Sequence, residues 1–432
     1  MFIDIQDSNL IFEENCVYMG TFKNKKCKFI EGKLSYTPTH CERCGVVNVD
    51  YTVYKNGTQT SRITLPFLGM YPAYLLMKKQ RFMCTVCHQS FTAKTKVVEK
   101  NCFISQNVRT LIAIKTGEAR SIKSIARDCS VSPTSVQRVI NETEEFLKPR
   151  HQSLPEHLSF DEFKYARGEM AFEYINVMTG EILDILDKRN QVTIKNHFIG
   201  NYSLTDRKCV KTVTIDMNAG YVSVIKELFP NAEIIIDRFH LVQLINRSMN
   251  KTRVQVMNKL SKSKSEDQKK YRRLKRYWRL LLKNKLDISS TEYKHYPLFG
   301  QRTEAGIIEE MLAYSPLLKA NYDFYQSLLS AITRRDFHAF QNGLEGLIDP
   351  LISNYMRTSI KTLKKHLPYI QNSFIFPYNN GRIEGINNKI KVLNRVAYGY
   401  RNFMNFKKRI FLHFKLQPDK LSDTNKSLSK AA

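Results

Sequence analysis

Three acidic residues stand at positions where a sheet or a helix would present them together. Asp161 follows the apolar start of the segment LSFDEFKYA, and Asp216 ends the β-branched segment VKTVTID. Glu384 opens the helical segment NNGRIEGINNKIKVLNRVAYGYRNF. A carboxylate at the end of a buried strand is rare unless it is paired or bound to a metal. Together the three predict a site for two divalent cations, which needs converging carboxylates and promotes displacement at phosphodiesters. Glu162 alternates to the opposite face of its strand from Asp161 and is not expected to share this site.

The helix that carries Glu384 has one apolar and one polar side. The apolar stripe consists of Ile383, Ile386, Ile390 and Leu393. Glu384 shares its side with Asn387, Asn388 and Lys391, which follow it by three, four and seven residues. We expect this polar side to lie beside nucleic acid, with Lys391 in contact with it. Mg²⁺, or Mn²⁺ in its place, is the expected cofactor because it binds a few carboxylates together with substrate phosphates.

Four cysteines form two CxxC pairs with 39 residues between them. They are Cys41, Cys44, Cys84 and Cys87. Two such knuckles surround one point with thiolates, which predicts structural zinc, and the binding of zinc would contribute much of the folding energy of this segment. Gly45 follows the first pair, where a knuckle favours a positive φ. A redox role is the alternative, and the flanking His40 and His88 are alternative ligands. The wide spacing requires an inserted hairpin.

The segment SIKSIARDCSVSPTSVQRVI predicts two short helices joined by a tight turn, as in a helix-turn-helix. Its inward positions are Ile122, Ile125, Ala126, Val131, Val136, Val139 and Ile140. Ser132 suits the N-cap of the second helix and Pro133 its first position, whereas Ser130 stands where the turn prefers glycine. The residues predicted to face outward, toward a major groove, are Thr134, Ser135, Gln137 and Arg138. An amphipathic helix pair that packs on a neighbour is the alternative.

Strands alternate with helices around the first two acids. The segments HLSFDEFKYA, FEYINVM, EILDILD, CVKTVTIDM and AEIIIDRFH predict strands, and QVTIKNHFIGNYS and AGYVSVIKELFP predict helices. Thr179 and Gly180 mark a hairpin. This order predicts a mixed sheet with helices packed on it. Residues 241 to about 368 are helical and basic, and residues 374–416 predict one strong helix, so a helical insertion interrupts an α/β domain.

The chain divides accordingly into six parts. Residues 1–100, with short strands and turns, form a zinc-binding domain, and residues 101–150 form the helix-turn-helix domain. Residues 151–240 are the first part of the catalytic core, 241–370 the helical insertion, and 371–416 the return to the core with Glu384. Residues 417–432 form a tail that we expect to be disordered. The two prolines of KPRHQSLPEH, residues 148–157, mark a linker.

Residues 262–285 form a basic run in which Tyr271, Tyr277 and Trp278 are interleaved. Such a helix would track a nucleic-acid backbone and stack on exposed bases. The alternative is a solvated helix whose aromatic side chains pack inward, and the sequence leaves both open.

The composition restricts the class of protein. The 432 residues carry a net charge of +28 and are 42% hydrophobic, which indicates a folded multidomain chain with a negatively charged partner, most simply nucleic acid. The acidic N-terminus lacks the pattern of a signal peptide, and no stretch has the roughly 18 apolar residues of a membrane span. The nine cysteines, an odd number, indicate a reducing cytoplasm rather than a disulfide framework.

These motifs follow one another in an order that resembles a known family. After the zinc knuckles and the helix-turn-helix come SFDEF, IDMNAGY, IIIDRFHLVQ and GRIEGINNKIKVLNRVAYGYRNF. This order is similar to that of the transposases of lactic-acid-bacterial insertion sequences, the ISL-three family, over nearly the whole chain. DRFH and GRIEGINNKIK are the most telling stretches. The resemblance implies a ribonuclease-H-like core with an Asp/Asp/Glu triad, and N-terminal modules that bind terminal inverted repeats.

Carried over to this sequence, the resemblance makes Asp161 the first acid, Asp216 the second and Glu384 the third. Asp237 also ends a predicted strand and is the alternative second acid. Asp216 is favoured because the second acid of such a core lies on the strand after the first helix. Asp237 with His240 resembles an Asp-x-x-His element that supports related catalytic cores.

The resemblance and the motifs together predict a transposase that binds the inverted repeats of its element and cleaves and joins DNA with a divalent metal. Its partner would be double-stranded DNA, as element ends and as target, with a homo-oligomer assembled on it and no membrane. It would act in the bacterial cytoplasm, at the nucleoid. A zinc-containing helix-turn-helix transcription regulator, or a nuclease without strand transfer, is the alternative.

Overall fold

The computed structural model describes residue 5 and residues 7–147, 153–166, 168–217, 219–260 and 264–416. Half of the predicted linker (148–152), the start of the basic run (262–263) and the predicted disordered tail (417–432) lie outside these residues. The chain forms two compact units. The first contains residues 1–149 and 389–432, and the second contains residues 150–388.

The first unit begins with a six-stranded sheet in the order β1-β3-β5-β4, with β2 beside β3 and β6 beside β5. Its strands are β1 (Leu10–Ile11), β2 (Val17–Phe22), β3 (Lys25–Leu34), β4 (Val53–Leu68), β5 (Tyr71–Cys84) and β6 (Ser90–Thr92). Strands β4 and β5 form the long hairpin that was expected between the two cysteine pairs, and Gly69 turns it with a φ of +64°. Ile30, Leu75 and Met77 are completely buried in the core of this sheet domain.

Three helices follow the sheet: α1 (Gln106–Thr116), α2 (Ile122–Asp128) and α3 (Pro133–Leu147). As predicted, apolar side chains of α2 and α3 are buried against one another, namely Ile125, Ala126, Val136, Val139 and Ile140. Ser132 Oγ accepts the N–H of Ser135 at 3.1 Å, the N-cap bond that the sequence predicts. Ser130 has a φ of +52°, so a serine occupies the left-handed turn position that favours glycine.

The second unit is built on a five-stranded sheet in the order β11-β10-β7-β8-β9. These strands are β7 (His157–Lys164), β8 (Met170–Asn176), β9 (Ile182–Leu186), β10 (Thr212–Ile215) and β11 (Glu233–Ile236). Strands β7, β10 and β11 are parallel, and β8 and β9 are antiparallel, so the mixed sheet is confirmed. Its helices are α4 (Gln191–Asn201), α5 (Leu204–Lys208) and α6 (Ala219–Leu228).

A helical region follows and has its own apolar core. It consists of α7 (Arg238–Lys259), α8 (Ser265–Arg276), α9 (Trp278–Leu281), α10 (Glu304–Leu312), α11 (Pro316–Arg334), α12 (Phe337–Glu345), α13 (Asn354–Lys365) and α14 (Leu367–Ile375), with a 3₁₀ turn (Lys285–Asp287) and a hairpin of β12 (Lys294–Tyr296) and β13 (Gly300–Arg302). Tyr271 and Tyr277 pack against this core, and Tyr277 Oη donates to the Pro297 carbonyl. Two of the three aromatic residues of the basic run therefore pack inward.

The last described segment contains two helices where the sequence predicted one, α15 (Gly381–Val396) and α16 (Phe403–Lys415). Tyr398 and Gly399 lie between these two helices, with φ values of +59° and +89°. A left-handed pair of residues ends a helix, and the apolar periodicity that continues beyond it does not reveal the break. None of the helices in the described ranges has both the length and the apolar composition required to cross a bilayer.

Helix α16 completes the core of the helical part of the first unit. Leu412 is completely buried among side chains of α1, α2 and α3. Arg409, which is 1% exposed, donates to the carbonyls of Thr116, Glu118 and Arg120. Nη1 and Nη2 make these bonds, which hold α16 against the end of α1, whereas Nε has no hydrogen-bond partner among the described residues.

We expect Leu412→Ala to destabilise the α1–α3 region by about 2–5 kcal/mol, because it removes a fully buried side chain and leaves a cavity. Hydrogen exchange of the α1–α3 amides in the whole protein measures this local loss. Met404→Ala, on an exposed residue of the same helix, is the matched control. Equal amide protection in the two variants would contradict the packing role of α16.

Candidate active site and candidate metal centre

The acidic residues lie at the ends of neighbouring strands and at the start of two helices. Asp161 lies on β7, and Asp216 and Asp237 directly follow the parallel strands β10 and β11. Glu384 lies in the first turn of α15, and His240 in the first turn of α7. Because β10 and β11 run parallel to β7, their carboxyl ends meet at one edge of the sheet.

Short contacts join these side chains into one cluster. His240 Nε2 lies 2.6 Å from Asp216 Oδ1 and 3.7 Å from Glu384 Oε1. Asn387 Nδ2 donates to Asp161 Oδ2 at 2.7 Å. Asp161, Asp216 and His240 line an open cavity of about 540 Å³. The three acids that the sequence selected are thus brought together.

Asp237 has a different environment from Asp216. It is 4% exposed, and its side chain accepts the N–H of Phe239 at 3.2 Å, which caps α7. Its other oxygen accepts the N–H of Asn380 at 3.1 Å. Asp237 also offers an oxygen within 4.8 Å of ligand atoms of His240 and Glu384. It is therefore close to the cluster but already accepts two backbone hydrogen bonds.

The charges of the cluster suit a divalent cation. Burial and the charge of Asp216 together raise the pKa of Asp161 to about 6, although the hydrogen bonds from the Glu162 N–H and from Asn387 lower it. Burial lowers the pKa of His240, but the hydrogen bond and charge of Asp216, with Asp237 and Glu384, outweigh it and raise this pKa overall. The carboxylates repel one another, and their charge favours the protonated form of His240. Mg²⁺ would neutralise this charge, and carboxylate oxygens are ligands that it prefers.

Glu162 lies on the face of β7 opposite Asp161. Its carboxylate accepts the Tyr221 hydroxyl and pairs with Arg189, although it borders the same cavity. The strand partner of Asp161, Glu173 on β8, is completely buried, and among the described residues neither of its oxygens has a hydrogen-bond partner. Burial holds the pKa of Glu173 well above its usual range.

The four predicted cysteines form a second cluster. Cys41 Sγ lies 3.7 Å from Cys87 Sγ, and Cys44 Sγ lies 3.8 Å from Cys84 Sγ. Four sulfurs around zinc at about 2.3 Å are separated by about 3.8 Å in a tetrahedron, so this geometry fits the metal. Hydrogen bonds from the N–H groups of Cys44 and Arg43 lower the pKa of the Cys41 thiol, whereas burial and the neighbouring sulfurs raise that of Cys87.

The two knuckles have the same backbone geometry. Gly45 N–H donates to the Cys41 carbonyl at 2.9 Å, and His88 N–H donates to the Cys84 carbonyl at 3.1 Å. Gly45 and His88 both have a positive φ, of 76° and 53°. The cluster that could hold a metal comprises the four cysteines, and His40 Nδ1 instead bonds to Thr39 Oγ1.

Comparison with known proteins decides the family. Residues 158–410, more than half of the chain, match a family model of ISL3 DDE enzymes that is described as transposase. The chain belongs to the ISL3 family of insertion-sequence transposases. The resemblance that the motifs indicated is confirmed, and the matched range contains the whole acidic cluster.

Two relatives of this transposase match over parts of their length. The transposase for insertion sequence element IS1001 of Bordetella parapertussis is 29% identical over 263 residues, which is 57% of this chain and 58% of that protein. A protein of Lactococcus lactis subsp. lactis named ATP-dependent protease is 41% identical over 110 residues, 26% of this chain and 35% of that protein. The chain therefore spans well under two thirds of either curated relative.

The residues predicted to contact DNA are not all equally accessible in the transposase. Thr134 and Arg138 are exposed on α3, and Lys391 is exposed on α15. Ser135 is half-buried and bonds to Ser132. Gln137, expected to face outward, is half-buried and donates to Asn141 and to Asn405 of α16.

Two asparagines lie near the acids in positions that the sequence did not predict. Asn387 was expected on the polar side of α15, but it is 4% exposed and bonds to Asp161. Asn380, just before α15, is completely buried and contacts both Asp216 and Asp237. An asparagine directly before a helix is a recognisable N-cap signal, but nothing in the sequence shows which strands its side chain reaches.

We expect the purified transposase to contain about one zinc per chain, and Cys84→Ser to lose it and destabilise the N-terminal sheet, because three thiolates leave the tetrahedral site incomplete. Elemental analysis and thermal unfolding measure both effects. Cys209→Ser, at an exposed cysteine outside the cluster, should leave zinc and stability unchanged. Full zinc occupancy after Cys84→Ser would contradict the assignment.

Proposed function

We propose that this chain binds the terminal inverted repeats of its own insertion sequence and catalyses metal-dependent DNA cleavage and strand transfer. The observation that carries the proposal is the convergence of three acids: Asp161 and Asp216 line one open cavity with His240, and Glu384 Oε1 lies 3.7 Å from His240 Nε2. Three carboxylates from three separate elements are the set that a two-cation phosphodiester site requires.

The sheet supports a ribonuclease-H-like core. Three antiparallel strands, β9, β8 and β7, are extended by the parallel strands β10 and β11. The first acid lies on the central strand β7, and the second directly follows β10, the first strand reached after a helix. This is the arrangement that the family resemblance implies, with the helical region from α7 to α14 inserted before the third acid.

The acids and the cavity wall would have different roles in the reaction. Bound divalent cations supply a polarised phosphate and a nucleophilic water or 3′-hydroxyl of lowered pKa. Asp161, Asp216 and Glu384 would hold these cations, preferably Mg²⁺ and otherwise Mn²⁺. Arg247, on the α7 wall of the cavity, would contact a phosphate of the substrate, since a guanidinium binds phosphate oxygens well.

Asp216 is the better second acid than Asp237. It borders the cavity and has a partly exposed side chain, 37% accessible. Asp237 is buried and caps α7, and a carboxylate that already accepts two backbone N–H bonds has fewer lone pairs for a cation. We propose that Asp237, with His240, supports the ligands and does not replace Asp216.

The N-terminal modules would supply DNA recognition. We propose that α2 and α3, whose apolar side chains pack against one another, act as a helix-turn-helix, with Thr134 and Arg138 exposed on the second helix. The four-cysteine sheet domain would act as a zinc ribbon beside it, and the charge of +28 favours phosphate contacts. We propose double-stranded DNA as the partner, both ends and target, with a homo-oligomer assembled on it at the bacterial nucleoid.

The name of the Lactococcus relative does not favour an ATP-dependent activity for this chain. That match covers 26% of the chain, and the printed sequence contains no G-x-x-x-x-G-K-[ST] segment, the loop that cradles nucleotide phosphates.

Asp161→Asn, Asp216→Asn and Glu384→Gln should each abolish Mg²⁺-dependent cleavage and joining of a DNA end. Each keeps the size of the side chain and removes the charge that would hold a cation, so the fold and the affinity for DNA should persist. A gel assay with a labelled element end and a plasmid target measures cleavage and joining, and filter binding measures affinity. Cleavage without joining by the unaltered protein would indicate a nuclease.

Asp237→Asn is the control for the second acid. It should weaken the cap of α7 and reduce the rate while leaving measurable cleavage. Loss of cleavage in Asp237→Asn with near-normal cleavage in Asp216→Asn would exchange the two assignments. Normal cleavage by all four variants would place the chemistry outside the acidic cluster, and absence of cleavage by the unaltered protein would leave a DNA-binding regulator as the function.

Arg138→Ala should weaken binding to the inverted repeat by about 1–3 kcal/mol, and binding to random DNA by less, if Arg138 contacts a base edge. Fluorescence anisotropy with both duplexes at two salt concentrations measures the difference. Arg127→Ala, in the last turn of α2, is the matched control that removes the same charge. An equal loss of affinity for both duplexes would indicate that Arg138 contacts a phosphate. No loss of affinity would exclude α3 as the helix that contacts bases.

A further inference from the structure

Asn380 occupies the start of the helix that carries Glu384. Its carbonyl accepts the N–H of Glu384 at 2.9 Å, the first hydrogen bond of α15. It therefore holds the N-cap position, where an asparagine side chain ordinarily accepts an N–H of its own helix. The side chain of Asn380 instead bonds to the sheet, and it is completely buried.

The side chain and backbone of Asn380 reach three strands. Oδ1 accepts the Ser159 hydroxyl at 2.7 Å, and Ser159 precedes Asp161 by two residues on the same face of β7. Nδ2 donates to Asp216 Oδ1 at 3.0 Å, and the backbone N–H donates to Asp237 Oδ2 at 3.1 Å. One residue thus ties the ends of β10 and β11 to β7 and to the first turn of α15.

The contact with Asp216 fixes how this carboxylate is presented. Asn380 Nδ2 and His240 Nε2 both bond to Oδ1. Two donors on one oxygen fix the rotation of the carboxylate plane, and the lone pairs of Oδ2 remain for a cation. An amide is suited to this position because it offers a donor to Asp216 and an acceptor to Ser159 at once, whereas a carboxylate would repel Asp216.

We propose that Asn380 is the positioning residue of the acidic site: it orients Asp216 and sets the position of Glu384 through the start of α15. The inference rests on the proposed function, since it assigns Asn380 a role toward the cations held by Asp161, Asp216 and Glu384. Partners of this kind, one step removed from the metal, typically change metal affinity or activity by about 10- to 100-fold when they are removed.

The test measures metal binding without DNA as well as catalysis. Mn²⁺ is titrated into the whole protein and followed by electron paramagnetic resonance, and the rate of single-turnover cleavage is measured over a range of Mn²⁺ concentrations. Asn380→Ala should raise the Mn²⁺ concentration at half-saturation about 10- to 100-fold. High Mn²⁺ should restore part of the cleavage rate, and the Kd for DNA should stay unchanged. A loss of packing alone would lower stability without this rescue by metal.

Two further variants keep the result decisive. Ser159→Ala removes the bond to Asn380 Oδ1 from the other side. It should shift Mn²⁺ binding in the same direction, and it keeps the test available if Asn380→Ala folds poorly. In the double variant, Ser159→Ala should add little to the effect of Asn380→Ala, because both changes break the same bond. Asn342→Asp, at an exposed asparagine of α12, controls for a general effect on helix stability and should leave Mn²⁺ binding unchanged.

The outcomes separate this inference from the proposed function. If the unaltered protein binds Mn²⁺ and Asp161→Asn abolishes this, but Asn380→Ala and Ser159→Ala bind Mn²⁺ normally, the positioning role is wrong and the metal site remains. If Asp161→Asn leaves Mn²⁺ binding unchanged, the proposed function itself fails.

Discussion

Mutual repulsion of clustered, partly buried carboxylates is the constraint on which the acidic site of the second unit depends. Asp161 and Asp216 line one cavity with His240, Glu384 lies 3.7 Å from His240, and the raised pKa of Asp161 reflects both burial and the neighbouring charge of Asp216. Groups that repel one another do not stay together unless other bonds of the fold hold them. The sheet edge, the buried amide of Asn380 and the imidazole of His240 provide these bonds.

The same constraint explains why so many polar groups are buried beside the acids. Ser159, Asn380 and Asn387 are at most 4% exposed, and each makes a side-chain hydrogen bond within or next to the cluster. In a low-dielectric environment such bonds are strong, and each unpaired partner is costly. Among the described residues Asn387 Oδ1 and both oxygens of Glu173 have no hydrogen-bond partner, and burial raises the pKa of Glu173 so that its neutral form is favoured.

Local patterns made most of the elements predictable. The β-branched segments before Asp216 and Asp237 are strands, and the Thr179-Gly180 hairpin and the helices around them form as expected. The cysteine spacing also indicated both the cluster and the hairpin between its halves. The break at Tyr398 and Gly399 was missed because apolar periodicity continues on both sides of it. A left-handed tyrosine has no sequence signal of its own.

The errors at the site have a common physical cause. Asn387 and Gln137 were assigned to helix sides that face nucleic acid, yet each bonds to a residue more than 200 positions away in the sequence. Arg409 and Asn380 are comparable cases: a guanidinium and an amide are almost or completely buried, and carbonyl, hydroxyl or carboxylate groups distant in sequence bond to most of their polar atoms. Amphipathic patterns separate polar from apolar side chains but contain no information about distant partners. Because a polar group is buried only where partners compensate its lost hydration, these residues fix the register of whole elements more narrowly than apolar packing does. In this chain they lie where α15 meets the strand ends and where α16 meets α1 and α3, so that these segments, distant in sequence, are held in register.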